Sequence, residues 1–403
     1  MKNEKERIAR SGIFPTAEQT ILLKACLLSG PESTEAFHEW LEIINIPSTM
    51  TAEKSALGLP QFFDKLDLGS QRLLSMFYKN MKINKVEHPL IPKLEGYYKY
   101  VWYRNQVLMS EFRKLAVILS DQGIEVVLRK GLYMTAMVYK DFGTRPTVDI
   151  DIAVRKEDWM KTVLIIEANG WKPKTKLNPH RMSLSQRHAF PYVNKNFELD
   201  LHYDFTNYPI KDQTKNQIWS KLNKTEGFNS ISKSNEVYLS LIHGFRINII
   251  PPIRWVADSV LLFRQFDEGD WHDFLEILDR EKRKSVLIML VYLQSNQFIL
   301  FPARIQEQLK LQGSLKFDLY DRTILTKYYF YLNGFIRCYA YSSISNPGSL
   351  REVFVRWFDK HLWLWNKKYY FELILHVILR FPIKVFDLFN KFEISKLRKS
   401  KKG

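Results

Sequence analysis

The sequence predicts an α+β fold: a small mixed sheet with helices, centred on residues 120–205, between N- and C-terminal helical regions. Apolar residues recur at three- and four-residue spacings on either side of that stretch, the period of a helix face. Inside it the period falls to two, as in a half-buried strand. The chain has 403 residues, enough for substantial helical additions to one mixed core.

Taken in order, residues 16–29 carry an apolar stripe (Ile21, Leu22, Ala25, Leu28) that stops at Gly30. Residues 97–122 repeat Val101, Leu108, Phe112, Leu115 and Leu119, with Gly123 where a helix C-terminus belongs. Residues 124–128 are a short β-branched run, read as a strand, and 131–139 as a helix. Residues 147–154 alternate as a second strand, and 157–169 form a helix with Trp159, Val163 and Ile166 on one face. Two more strands, 188–193 and 197–203, flank Asn194-Lys195-Asn196, which suits a hairpin turn. From about residue 234 the pattern is helical again, with segments at 258–266, 271–281 and 285–294. Asp270 is read as the cap of the second of these, with Asp273 completing a capping box. Aromatic-rich segments follow through Tyr329, Phe335, Trp357, Trp363 and Phe386. The expected division is 1–95, an N-terminal helical region; 96–205, the mixed core; and 206–403, a C-terminal helical region ending in a basic tail.

Composition narrows the class. Cys26 and Cys338 are the two cysteines, too few for a disulfide framework or a zinc cluster. The charged N-terminus is followed by no apolar run of signal-peptide type. Residues 371–379 contain Glu372 and His376 and fall short of the roughly 20 apolar residues a membrane span needs. A cytoplasmic protein without a transmembrane segment is expected. The net charge of +17 suits an anionic partner and equally a solvated basic surface. A stripe of Ile374, Val377, Ile378, Phe381 and Val385 near the basic tail fits a membrane surface or ordinary core packing.

The chemistry lies in Asp149-Ile150-Asp151. In a strand both carboxylates point to one face, while Val148, Ile150 and Ile152 point to the other, toward a core. Two carboxylates so placed repel, and a divalent cation held with substrate phosphates compensates them. Without metal, neutralising Asp151 should relieve strain. In 197–203, Glu198, Asp200 and His202 share a face; paired beside the first strand, that run would add Asp200 as a third carboxylate. Three such groups can hold two metal ions for phosphoryl transfer. Lys130-Gly131, after a strand and before a helix, adds a charge and close backbone approach for a phosphate.

The linked motifs Val127-Leu128-Arg129-Lys130-Gly131, then Tyr139, Asp141, Gly143 and Arg145, then Asp149-Ile150-Asp151-Ile152-Ala153-Val154, resemble the uncharacterised nucleotidyltransferase family of bacteria, part of the DNA polymerase β-like superfamily. Counterparts also exist for Arg187-His188-Ala189-Phe190-Pro191, Asp200-Leu201-His202, His243, Arg254-Trp255 and Asp258, so the resemblance runs from about residue 16 to about residue 290. Three positions depart from the pattern: Arg129 where an apolar residue is usual, Tyr203 where Trp is frequent, and Lys-Gly in place of the superfamily's Gly-Ser. The resemblance implies a polymerase β-like core and a metal-dependent transfer of NMP from an NTP, ATP among the candidates, to an acceptor hydroxyl. It implies Asp149, Asp151 and Asp200 as catalytic metal ligands for two Mg2+ ions. Lys130, Gly131 and Arg145 are expected on the phosphate side; His188, His202, His243 and Asp258 are candidates for a supporting role, with His243 and Asp258 read first as buried polar partners of Arg254 or of the strand. The acceptor is open between a small molecule, a sugar, a protein and RNA, toward which the basic charge tilts. The alternative is a degenerate fold serving as a basic scaffold. Oligomeric state is not legible.

Overall fold

The computed structural model describes residues 12–46, 59–64, 66–175, 188–206, 208–225, 227–246 and 253–325, with 179 and 339 as isolated positions. Cys338, the aromatic segments after residue 325, the 374–385 stripe and the basic tail lie outside the described residues, as does Arg187.

The N-terminal region is helical: α1 (Ala17–Leu27), α2 (Gly30–Ile43), α3 (Leu59–Asp64), α4 (Leu68–Gln71) and α5 (Leu74–Ile83) lead into α6 (Leu90–Asp121). Thr16 caps α1 through a capping box with Gln19, which is why the helix begins where the sequence places it. The long helix α6 begins seven residues before the expected 97. Pro92 sits in its first turn, where backbone N–H groups lack an intrahelical partner, so the proline removes nothing. Its buried face includes Leu94, Leu108, Phe112, Leu115 and Leu119. Asn105, on the same helix, is fully buried and donates to the carbonyls of Phe142 and Arg145 at 2.6 and 2.8 Å, clamping the loop between them.

The mixed core follows. Strand β1 (Val127–Arg129) runs directly into α7 (Lys130–Tyr133), continued by a π-helical segment, Met134–Tyr139. Then come β2 (Ile150–Ala153), α8 (Trp159–Ala168), β3 (Lys172–Pro173), β4 (Ala189–Asn194) and β5 (Phe197–His202). Helix α9 (Asp212–Ser220) precedes β6 (Asn223–Thr225) and β7 (Phe228–Ser230). The seven strands form one sheet, ordered β3-β4-β5-β2-β1-β7-β6. The last two strands escape a reading by apolar alternation because each has only three residues, mostly polar. Strand β2 is antiparallel to β1 and parallel to β5, with Leu128, Ile152 and Leu201 in one row. That row is fully buried and faces the core. Ile150 is also buried, but Val148 is 61% exposed; it precedes the strand and does not share the core face expected of it.

The C-terminal helices described are α10 (Lys233–Gly244), α11 (Arg254–Phe263), α12 (Glu268–Glu281), α13 (Lys284–Ser295), α14 (Ala303–Lys310) and α15 (Leu319–Leu325). The capping box of α12 lies one turn earlier than expected: Asp267 is the cap and Asp270 its partner. Tyr203 meets Trp159 edge-on at 5.5 Å, so its ring occupies a packed site. Among the described residues no helix is long and apolar enough to cross a membrane.

Candidate active site

The register of the sheet builds the site. Arg129 on β1, Asp151 on β2 and Asp200 on β5 are direct neighbours in one row, one residue along from the apolar row. Successive side chains in a strand alternate, so this charged row faces away from the core. His202 lies two residues beyond Asp200 on the same face, opposite Ala153. Ligand atoms of Asp151, Asp200 and His202 all fall within 4.8 Å of one another, a donor set able to hold a metal ion. Asp149, one residue before β2, lines the same cleft and feels the charge of Asp151.

That cleft has a volume of about 740 Å³. Of the residues singled out in the sequence, Lys130, Gly131, Arg145, Asp149, Asp151, Asp200, His243 and Asp258 line it. His202 sits behind Asp151 and is 2% exposed. His188 is not among the lining residues; its ring lies 5.3 Å from that of His202.

The carboxylates experience opposite fields. Burial and the charge of Asp151 push Asp149 and Asp200 each up to about 6. Burial also acts against the Asp151 anion, but Lys130 and His202 outweigh it and hold this carboxyl well below the usual range. Lys130 Nζ donates to Asp151 Oδ1 at 2.7 Å, and His202 Nε2 lies 2.9 Å from the same oxygen. Burial and Lys130 press His202 down to about 4, so the ring is neutral at pH 7. The carboxylate is the best acceptor nearby, so Nε2 carries the proton. Burial lowers His188 and His243 as well, assisted by His202 and Arg246 respectively. The expectation that Asp151 is strained without metal is therefore corrected: the strain falls on Asp149 and Asp200, while Asp151 is the paired member.

Lys130 reaches Asp151 because of an unusual backbone. Its φ is +44°, a left-handed value that costs a non-glycine residue on the order of 1 kcal/mol. Gly131 follows because nothing larger fits: a Cβ there would lie 2.8 Å from Thr147 Cγ2 and 3.2 Å from Arg145 Nη1. Arg145 is held by Asp258 of α11 through two bonds of 2.9 Å, Nε to Oδ1 and Nη2 to Oδ2. Tyr139, at the end of the π-helical segment, donates to the same carboxylate at 2.9 Å. Two of the donors expected to meet phosphate are thus engaged within the fold.

Other residues complete the site. Arg129 is buried against Glu236 of α10 at 3.4 Å, with its guanidinium 4.9 Å from the Phe205 ring centre, which accommodates the departure from an apolar residue. Arg254, of the Arg254-Trp255 pair singled out in the sequence, also lines the cleft from the start of α11, as do two arginines the sequence did not single out, Arg72 just after α4 and Arg246 just past α10. Only contacts between distant segments reveal them.

A mixed sheet whose central strands carry aspartates in register, opening on a cleft between flanking helices, defines a nucleotidyltransferase core with helical additions. The chain belongs to the family described as uncharacterised nucleotidyltransferase, whose model matches residues 68–297, more than half of the sequence. No curated protein matches it.

Proposed function

We propose that this protein is a metal-dependent enzyme that moves an NMP group from an NTP to an acceptor hydroxyl. The observation that carries the reading is the placement of Asp151 beside Asp200 on parallel strands, with Asp149 in the same cleft. Asp149, Asp151 and Asp200 would hold Mg2+. The donor set fits: it is rich in carboxylate oxygen, and two of its members are raised to about 6 by burial and mutual charge, as expected of anions that a cation would relieve. Two such ions, when bound, supply charge stabilisation for the attacking and leaving oxygens. The chain's own residues do the rest. His202 orients Asp151 through the 2.9 Å contact, the Arg145–Asp258 pair ties the loop that leads into β2 to α11, and the cleft walls position the reactants. RNA is the acceptor to examine first, because the net charge is +17. Cytoplasmic placement, where NTP and magnesium occur together, belongs to the same reading.

One observation favours the scaffold alternative: Lys130 and Arg145 are already paired inside the protein. An assay with α-labelled NTPs, magnesium and host lysate decides between them. Wild type should transfer label, and Asp200→Asn should lose at least about 100-fold in rate while remaining folded. No transfer by wild type to any acceptor, together with equal complementation of a deletion by wild type and Asp200→Asn, would establish the scaffold.

A further inference from the structure

The groups nearest the carboxylates are occupied: Lys130 by Asp151, Arg145 by Asp258, and the space beside Gly131 by Thr147. The same cleft has a second, basic wall. Arg72 follows α4, Arg246 lies two residues past the end of α10, and Arg254 is the first residue of α11. Arg254 feels the charge of Arg72. Burial, then the charges of Arg145 and Arg72, bring Arg254 down to about 10. Gathering like charges in a cleft costs free energy that a bound anion returns. Two further features point the same way. Helix α11 has ten residues, opens against the cleft with Ile253, Arg254 and Trp255, and lacks a side-chain cap at Ile253. Its first N–H groups therefore add positive potential where the arginines converge. Gly244 makes the arrangement fit, since a Cβ there would lie 2.6 Å from Trp255 Cγ. The basic wall shares the cleft with the acidic one: Arg72, Arg246 and Arg254 line it together with Asp149, Asp151 and Asp200.

We propose that Arg72, Arg246, Arg254 and the start of α11 form a polyphosphate site that takes the β- and γ-phosphates of the nucleotide while its α-phosphate meets the aspartates. The assignment to a nucleotide rests on the nucleotidyltransferase reading. The site supplies phosphate contacts beyond Lys130, whose ammonium is engaged by Asp151.

The test is calorimetric titration of the full chain with inorganic tripolyphosphate, without magnesium. Arg72 and Arg246 are exposed, so their substitution leaves the core intact. Arg254 donates to the Pro146 carbonyl at 2.8 Å and is left in place. Wild type should bind, and more weakly as salt rises. Arg72→Ala should weaken binding about tenfold, Arg72→Ala/Arg246→Ala further, and Arg72→Lys should recover part of the loss. Equal binding by wild type and the double variant, or no binding by wild type at millimolar tripolyphosphate, overturns the site. Label transfer separates this from the enzyme reading. If the double variant transfers label with an unchanged KM for NTP, the site falls and the enzyme stands. If the arginines govern tripolyphosphate binding but wild type transfers nothing, the anion site stands and the enzyme falls.

Discussion

Asp151 and Asp200 are direct neighbours, yet their charges have opposite consequences for folding. The folded state depresses Asp151, so its contribution is present above the ordinary value of 3.8 and is lost as pH falls below it. Asp151→Asn should cost on the order of 2 kcal/mol at neutral pH by leaving Lys130 without its partner, with the cost fading below about pH 4. Asp200 is raised to about 6, so the folded state holds its proton longer than the unfolded chain does. Its penalty grows from about pH 4 to about pH 6 and is complete above that. In chelator, Asp200→Asn should therefore melt with wild type at pH 4 and above it at pH 7.5. Thermal melts across that range check both signs; identical pH profiles for the two variants would show that the pairing of Lys130 with Asp151 has no energetic weight. The aspartates themselves could be read from alternation, because the period-two pattern fixes which residues share a face. That Lys130 and His202 select Asp151 could not, since both contacts depend on strand register and on a left-handed backbone.

At the level of elements, the junction of β1 and α7 is the tightest point in the site. Gly131 is needed for close approach to Thr147, so Gly131→Ala should cost about 1–3 kcal/mol through overpacking and should displace Lys130. Thr147→Ser removes the methyl group that blocks the new Cβ, so the double variant should recover much of the loss. Denaturant unfolding of the single and double variants measures this, and additive losses would place the strain elsewhere. The same junction shows what patterning conveys. The stripes of α1 and α6 and the strands β2, β4 and β5 were all readable because propensity and burial agree there. The π-helical turn at Met134–Tyr139 was not, because the apolar content of 131–139 suits an α-helix equally; the altered turn ends at Tyr139, whose hydroxyl joins Arg145 on Asp258. Strands β6 and β7 carry no apolar alternation, and their place beside β1 comes from a single parallel pairing, Val127 with Asn229.

For the molecule as a whole, the cleft is assembled from distant parts of the chain. Residues 96–205 supply β1 to β5, while β6, β7, Asp258 and two of the three basic-wall arginines come from later residues and Arg72 from earlier ones. Ligand binding should therefore stabilise the chain across these parts together. Magnesium with NTP at about 100 times Kd should add roughly 2.7 kcal/mol, a rise of several degrees in melting temperature. Asp149→Asn/Asp151→Asn should abolish the gain. Scanning calorimetry with and without the ligands tests this, and an equal gain in the double variant would place the nucleotide outside the aspartate site.

The ammonium of Lys130 gives the protein a built-in counter-ion. Proteins whose folding depends on a bound metal come apart when it is chelated. Here Asp151 keeps a cationic partner whatever the supply of divalent ions, so the fold is expected to hold in metal-poor surroundings. Prolonged dialysis against EDTA should leave the circular dichroism spectrum of wild type unchanged, and any activity lost should return at once when magnesium is restored, with no refolding delay. Lys130→Met should lose this tolerance, its circular dichroism spectrum changing on dialysis against EDTA while that of wild type does not.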